Sequence, residues 1–247
     1  MKRFVDLHLC LPSTLEYDEV RELTARSAEL GYSSVGIPLP IDMTRKEIQN
    51  LERICSENNL DLIKRVDLRP KDTRALLDLL RNVRRKRELV AVYCNSKPIA
   101  RQAAKDRRVD LISFPSTDPR RRFFNSAEAE LASKSQAALE VDMAPLIALD
   151  GFLRTRLISC LRREVAIAKK FDVPMVLSSG SSDRYLLRKP QDYASLAYLF
   201  GLDHQAAMKA LSETPLRIIE RNRKKLSPDY VAPGVYIVKR GRDCRGF

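Results

Sequence analysis

The feature that most constrains the fold is an alternation of short, apolar, β-prone runs with longer segments of helical period along almost the whole chain. This alternation is typical of βαβ units, whose strands run parallel in one sheet. The predicted strands cover residues 4–9, 34–39, 61–67, 89–94, 109–114, 138–142 and 175–178. About seven such units, without the glycine fingerprint of dinucleotide-binding sheets, favour a closed or nearly closed TIM-like (β/α) barrel.

The segments between the strands carry apolar residues on one helical face, as Val20, Leu23 and Leu30 do in the first of them. The predicted helices include residues 17–30, 73–85, 152–171, 190–200, 204–213 and 216–223. Gly31 is placed as the C-terminal glycine of the first helix, Asp72 or Thr73 as the N-cap of the third, and Asn125 as the N-cap of the fifth. We therefore expect one barrel domain over residues 1–223, with extra C-terminal helices, and a basic, flexible tail over residues 224–247.

The charge balance indicates a polyanionic partner. Lys and Arg number 45 against 32 Asp and Glu, a formal net charge of +13, and Arg dominates the basic set. Arg holds phosphate bidentately and keeps its charge when partly desolvated. The alternative is that the excess only keeps the protein soluble.

Other features exclude several classes of protein. No apolar stretch approaches the roughly 20 residues that cross a bilayer, and no signal peptide is present, so we expect a cytoplasmic protein without a membrane partner. The five cysteines include no CxxC pair, which argues against a disulfide framework or a zinc site. A P-loop and a GxSxG elbow are also absent from the sequence.

The first predicted strand carries Asp6, His8 and Cys10 at alternate positions, so their side chains are expected on one face. This pattern resembles the opening motif of the polymerase and histidinol phosphatase metal hydrolases, in which an acid and two histidines alternate. Here the last position is Cys10, and the whole chain has only two histidines. Because so few imidazoles cannot assemble a multi-metal centre, we expect a degenerate site with no metal and no catalytic residue.

A small polar loop, residues 178–182, follows the last predicted strand. Such a loop can present backbone N–H groups to phosphate. A simple turn is the equally open alternative.

The same region carries a family resemblance, which combines a Ser-Ser pair, an Arg-x-Pro-x-Asp spacing and an ordered set of residues in the helices that follow. Its members are Leu177, Ser178, Ser179, Asp183, Arg184, Arg188, Pro190, Asp192, Leu196, Phe200, Gly201, Ala206, Ala207, Ala210, Leu211, Ser212, Pro215, Ile218, Ile219, Arg221 and Lys224. They resemble the C-terminal part of archaeal ribonuclease P protein component 3. The resemblance is good over residues 138–224 and rests mainly on strand order over residues 1–137.

The resemblance implies an α/β barrel that has lost the metals of the hydrolase barrels. It also implies a ribonucleoprotein in which the RNA removes the 5′ leader of precursor tRNA, with magnesium on the RNA and no cofactor on this chain. The implied partners are ribonuclease P RNA, ribonuclease P protein component 2 in a two-plus-two heterotetramer, other ribonuclease P proteins, and precursor tRNA in the holoenzyme.

Candidate RNA contacts are basic residues in loops or at helix starts, where they can reach phosphates, together with the Ser-Ser pair. They are Arg45, Arg65, Arg69, Lys97, Arg101, Arg120, Arg121, Arg122, Ser178, Ser179, Arg184, Arg188 and Lys189. Phe123 and Phe124 could stack on bases, although stapling the next helix to the core is the favoured use. The basic run at 84–87 is expected at the other end of the barrel, as a solvated face or a second RNA contact.

The leading hypothesis is thus a noncatalytic RNA-binding subunit of a ribonucleoprotein endonuclease. The alternatives are a stand-alone barrel metallohydrolase acting on phosphoesters and a pure protein-interaction module.

Overall fold

Seven parallel strands form one sheet whose strand order follows the chain. The structure is a computed structural model and describes residues 3–11, 17–232 and 235–238. The strands are β1 (Phe4–Asp6), β2 (Tyr32–Pro38), β3 (Asp61–Leu68), β4 (Leu89–Tyr93), β5 (Leu111–Ser113), β6 (Ala138–Asp142) and β7 (Met175–Ser178). Each strand pairs in parallel with the next, as the predicted βαβ units require.

The sheet curls until its first and last strands meet at their C-terminal ends. Leu9 forms an isolated parallel bridge with Ser181. Around this bridge, the backbone N–H of Cys10 donates to the carbonyl of Ser181 at 3.0 Å, and that of Gly180 donates to the carbonyl of His8 at 2.8 Å. The fold is therefore a nearly closed barrel, and the predicted fold class is confirmed.

The helices cover the outside of the barrel. They are α1 (Tyr17–Glu29), α2 (Arg45–Glu57), α3 (Thr73–Val83), α4 (Lys97–Lys105), α5 (Ser126–Ser135), α6 (Ala144–Ala148), α7 (Gly151–Lys170), α8 (Pro190–Leu196), α9 (His204–Ala210) and α10 (Glu213–Leu226). The predicted helix at 190–200 divides into α8 and a 3₁₀ turn over Ala197–Phe200. The short α6 was not predicted.

Local signals account for several helix boundaries. The side chain of Asp72 accepts a hydrogen bond from the backbone of Ala75 at 2.8 Å, as predicted for an N-cap. Asn125 occupies the N-cap position of α5, but its side chain makes no capping hydrogen bond. Gly31 follows α1 with φ 93°, a conformation that glycine adopts without steric cost.

The inside of the barrel is apolar toward the N-terminal ends of the strands. Ile218 and Ile219 of α10 pack there against residues such as Val5, Ile63 and Val176. The helix α10 thus lies across this end of the barrel and covers its interior, which leaves the opposite end as the place for polar side chains.

The C-terminal region was predicted as a tail from residue 224. In the structure α10 continues to Leu226, and a short antiparallel hairpin follows, formed by β8 (Tyr230–Ala232) and β9 (Val235–Tyr236). Residues 239–247 of the predicted tail lie outside the described residues, and its flexibility stays a prediction. Within the described ranges, every helix is too short or too polar to cross a membrane.

Candidate functional site

A network of buried charges fills the barrel where the strands end. It is contributed by β3, β6, β7 and the segment that follows β1. Arg65 and Asp67 alternate along β3, and Glu140 and Asp142 alternate along β6, so each pair projects to the same side of its strand. Parallel strands place these pairs at one end of the barrel, where enzymes of this architecture carry their active sites.

Arg65 is the centre of the network. Its side chain is fully buried, and its Nη1 and Nη2 donate to the two carboxylate oxygens of Glu140 at 2.5 and 2.7 Å. Its Nε donates to Asp67 at 2.6 Å, and Nη1 also donates to the carbonyl of Leu7 at 2.8 Å. Burial alone would lower the pKa of Arg65, but the charges of Asp67 and Glu140 raise it well above its usual value. The guanidinium is therefore a permanent internal cation.

His8 is a second internal cation. Its Nδ1 lies 2.8 Å from an oxygen of Asp142, and its Nε2 lies 3.1 Å from an oxygen of Asp67. Burial and the charge of Arg65 act to lower the pKa of His8, but Asp142 and Asp67 outweigh them and raise it well above the usual value. The two carboxylates favour the charged form of the ring, in which both nitrogens donate to them. The thiol of Cys10, 3.3 Å from Nε2, completes the surroundings of the ring.

Asp67 accepts hydrogen bonds from both internal cations. Burial would raise the pKa of its carboxyl group, but the charges and hydrogen bonds of Arg65 and His8 hold the pKa well below the usual range. Asp67 is therefore ionised and links the two cations.

Asp6 stands apart from this network. One oxygen of its buried carboxyl group accepts hydrogen bonds from the backbone of Ser179 at 2.8 Å and of His8 at 3.1 Å. The other oxygen has no hydrogen-bond partner in the described part of the chain. Burial raises the pKa of the Asp6 carboxyl group. Asp6 thus ties the end of β1 to Ser179, which directly follows β7.

The metal hydrolases that the first strand resembles carry their metals at this end of the barrel. His8, Glu140 and Asp142 each offer a ligand atom, and these atoms lie within 4.8 Å of one another. However, both oxygens of Glu140 already accept hydrogen bonds from Arg65, and both nitrogens of His8 donate. A metal requires unprotonated imidazole and free carboxylate oxygens, so these residues do not fit one in this arrangement.

Two of the predicted RNA-binding arginines prove to be buried, which corrects their assignment. Arg65 belongs to the internal network. Arg122 donates to Glu164 of α7 at 2.8 and 2.6 Å, and to the carbonyls of Phe114 and Pro115. Both guanidinium groups are taken up by carboxylates inside the protein and are not available to RNA.

At Ser178 and Ser179 the structure favours the turn over the phosphate loop, because both residues are buried. The hydroxyl of Ser178 donates to Glu140, and the backbone N–H of Ser179 donates to Asp6. The next N–H group, that of Gly180, is used in barrel closure. The N–H groups of Ser179 and Gly180 thus already have partners in the protein, and these residues join β7 to β1.

The remaining predicted residues are exposed or half-buried and lie in loops or helix starts at the end where the strands finish. They form a discontinuous basic rim of Arg45, Arg69, Lys97, Arg101, Arg120, Arg121, Arg184, Arg188 and Lys189. Some of these cations lie over aromatic rings: Arg69 lies 5.1 Å from the ring centre of Tyr93, and Arg184 lies 4.9 Å from that of exposed Tyr185. Contact of the basic rim with RNA stays a prediction.

Several rim residues also make contacts within the protein. Arg184 forms an exposed ion pair with Glu22 at 2.7 Å, and Arg101 lies 3.4 Å from buried Glu128. Phe124 is buried and packs edge-on against Phe114, which agrees with its favoured use as a staple for the following helix. Exposed ion pairs contribute little to stability, so Arg184 can exchange its carboxylate for another anion.

The sequence interpretation missed the carboxylates that hold the buried arginines: Glu140, Asp142 and Glu164. A signal for them was available, since acidic residues at alternate positions of an apolar strand, and one on the apolar face of a helix, must find cationic partners. That signal does not identify the partner, because the pairing spans distant segments of the chain.

Comparisons with known proteins agree with the barrel and identify a family. A family model described as "RNase P subunit p30" matches residues 3–227. Among similar proteins, ribonuclease P protein component 3 of Methanosarcina barkeri is 30% identical over 222 residues, 90% of each chain. That of Methanococcoides burtonii is 31% identical over 216 residues, 87% of this chain and 86% of the relative.

Solved structures show the same architecture. A chain in the cryo-EM structure of archaeal ribonuclease P with mature tRNA has a TM-score of 0.81 at 22% identity, covering 96% of this chain and 99% of that chain. Ochratoxinase from A. niger has a TM-score of 0.57 at 10% identity, covering 89% of this chain and 71% of that chain. These likenesses concern the fold, whereas the family follows from the sequence match over residues 3–227 and the relatives of about 30% identity. The chain therefore belongs to the family of ribonuclease P subunit p30.

Proposed function

We propose that the chain is a noncatalytic protein subunit of a ribonuclease P ribonucleoprotein, which removes the 5′ leader from precursor tRNA, and that it binds and supports the catalytic RNA. The observation that carries the proposal is the contrast between the barrel mouth and its surroundings. The interior is occupied by the Arg65 and His8 network, while the basic rim around it is accessible. Such a molecule can hold a polyanion outside the barrel without offering a reactive centre inside it.

The protonation states support the noncatalytic role. A general base must accept a proton, and His8 already carries two donors held by Asp67 and Asp142. The second histidine, His204, is exposed at the start of α9. We accordingly propose that the protein holds no metal or other cofactor and that the magnesium of the reaction is bound by the RNA.

The arrangement of the rim suggests how RNA is held. Long basic side chains from loops after several strands contact phosphates, which positions the protein without reading sequence. The arginines beside Tyr93 and Tyr185 add surfaces on which an unpaired base can stack. RNA shape and ionic strength should therefore control affinity more than base identity.

The partners come from the family. We propose assembly in the cytoplasm with ribonuclease P RNA, with ribonuclease P protein component 2 as a two-plus-two heterotetramer, and with the other ribonuclease P proteins. Precursor tRNA joins in the holoenzyme. The structural likeness to a chain of archaeal ribonuclease P with mature tRNA supports this assignment.

Reconstituted cleavage of precursor tRNA tests the proposal. Catalytic RNA and the partner subunits should cleave faster with this chain than without it, and cleavage unaffected by its omission would contradict the proposal. The joint variant Arg184→Ala, Arg188→Ala and Lys189→Ala should weaken RNA association and flatten its salt dependence. The control is Lys46→Ala with Arg53→Ala, which removes two positive charges at exposed residues of α2 outside the basic rim.

The metallohydrolase alternative has its own test. The chain alone is incubated with a generic phosphodiester and manganese, and the proposal expects no hydrolysis. Hydrolysis by the chain that His8→Ala abolishes would favour the alternative over the subunit role.

A further inference from the structure

A second concentration of positive charge lies at the opposite end of the barrel from the basic rim. Arg217, Arg221 and Lys225 follow one another at intervals of four along α10. Residues spaced by four lie on the same face of a helix, and like charges at this spacing repel each other and destabilise the helix. Negative charge placed beside such a row would relieve this repulsion.

The row borders a recess between α10 and the end of α5. Arg221 and Lys225 line one part of it together with Arg107, Lys134 and Gln136. A neighbouring part is lined by Arg217 and Arg221 and shares Gln136. The two parts share Arg221 and Gln136, and five cations line them. We call this surface the α10 recess, after Arg107, Lys134, Arg217, Arg221 and Lys225.

The charges of the α10 recess are poorly neutralised. Arg107, Arg217 and Lys225 make no ion pair with any residue that the structure describes. Arg221 pairs with buried Asp110 at 2.8 Å, but Arg84 holds the same carboxylate at 2.7 Å, so two guanidinium groups share one negative charge.

Two further acidic residues of the described chain lie at the edges of the recess. Lys134 pairs with exposed Glu130 at 2.6 Å, and Asp172 lines the far part beside Arg217.

The pKa of Lys225 also indicates an excess of positive charge in the recess. Burial lowers the pKa of Lys225, and the charges of Arg221, Arg84 and, to a lesser extent, Arg107 lower it further, while the charge of Asp110 acts in the opposite direction. Three of these neighbours are cations, so Lys225 lies in a net positive field. An anion placed among them would relieve that repulsion.

We propose that the α10 recess binds the phosphate backbone of RNA. The inference rests on the proposed function and adds a second contact surface to it, at the end of the barrel remote from the rim. A single barrel with both surfaces can hold two separate RNA segments, and so act as a spacer between them.

The lining favours RNA over an acidic protein. Protein interfaces are built around exposed aromatic and aliphatic side chains. The exposed large apolar residues of the described chain lie elsewhere, for example at Phe152, Tyr185 and Val231, and not among the recess residues. Arginine-rich walls without such side chains are typical of phosphate contacts that carry no base readout.

The charge-reversal variant Arg107→Glu with Lys225→Glu tests the proposal in the full-length chain. Arg221 is left intact because it also holds buried Asp110. The control, Lys46→Glu with Arg53→Glu, makes the same change of charge at exposed positions of α2. The probe is transcribed catalytic RNA of an archaeal ribonuclease P, and its binding is measured by filter retention over a range of KCl concentrations.

The recess variant should bind the RNA at least tenfold more weakly than the unmodified chain. Its plot of log affinity against log salt concentration should be shallower by about two, since each lost phosphate contact contributes roughly 0.9 to the slope. The control should keep the slope. The milder variant Lys225→Gln should remove about one phosphate contact and make the slope shallower by roughly 0.9. Circular dichroism establishes that each variant is folded.

The other outcomes separate the inference from the proposed function. If the unmodified chain binds RNA and the folded recess variants bind with the same affinity and slope, the α10 recess is not an RNA site, while the proposed function stands. If RNA affinity is unchanged but assembly with the other ribonuclease P proteins is lost, the recess serves an acidic protein and the inference is wrong. If the unmodified chain fails to bind RNA even at low salt, the proposed RNA-binding role itself is contradicted.

Discussion

Arg65 and Glu140 form a two-pronged ion pair inside the barrel, with Nη1–Oε1 and Nη2–Oε2 distances of 2.5 and 2.7 Å and no exposed side-chain surface on either residue. The pair joins β3 to β6 across the barrel interior. A guanidinium with five donors thus occupies the end of the barrel where related folds assemble metal ligands. The carboxylates of Glu140 and Asp67 accept hydrogen bonds from Arg65, which is covalently part of the chain and cannot leave the site as a metal ion can.

The first prediction concerns this pair. Arg65→Met should lower the free energy of unfolding by about 3–5 kcal/mol, because it leaves the buried carboxylate of Glu140 and the half-buried carboxylate of Asp67 without their main cation. The double variant Arg65→Met with Glu140→Gln should be less destabilised than the single variant. Urea unfolding followed by circular dichroism measures both. A loss below about 1 kcal/mol for Arg65→Met, the size expected of an exposed pair, would contradict the structural role.

The second prediction is a pH dependence of stability due to His8. Its pKa is raised in the folded protein above the unfolded value of about 6.5, so its stabilising contribution is complete below pH ~6.5 and is lost as pH rises through the folded pKa. The free energy of unfolding should therefore fall between neutral and alkaline pH. In His8→Gln the part of that slope due to the imidazole should vanish. Equal slopes for the two proteins, measured by urea unfolding from pH 6 to 9, would be incompatible with a charged His8.

The third prediction compares two glycines with positive φ. A Cβ at Gly180 would lie 2.5 Å from the side chain of Asp142, whereas a Cβ at Gly31 would meet no atom within 4 Å. Gly31→Ala should cost only the backbone strain of about 1–3 kcal/mol. Gly180→Ala should cost more, because it also displaces Asp142 from His8. Thermal unfolding of the two variants tests the order, and a Gly180 variant as stable as the Gly31 variant would contradict the close packing at the barrel closure.

The barrel could be predicted from the sequence because hydrophobic periodicity is local. All seven predicted strands exist, and signals such as Asp72 and Gly31 mark the helix ends as expected. The residues of the site were harder to predict from the sequence. Arg65 and Arg69 look alike in sequence, although Arg65 is buried and Arg69 is exposed. Burial of an arginine depends on a carboxylate from a distant strand, and no local pattern encodes that pairing.

The last prediction concerns Arg121 and Arg122, which are neighbours in sequence but differ in burial. Arg122 is buried against Glu164, while Arg121 is exposed and pairs with Asp118 at 3.2 Å. Arg122→Ala should destabilise the protein by about 3–5 kcal/mol, because Glu164 would remain buried and uncompensated. Arg121→Ala should change stability by no more than about 0.5 kcal/mol.

RNA binding should respond in the opposite way. As a member of the basic rim, Arg121 should contribute about one phosphate contact, and its removal should flatten the salt dependence by roughly 0.9. Folded Arg122→Ala, measured well below its melting temperature, should keep the slope of the unmodified chain, because its guanidinium already belongs to Glu164. The reverse pattern would mean that the loop after β5 opens to present Arg122 to RNA, and that its ion pair with Glu164 is exchanged for phosphate on binding.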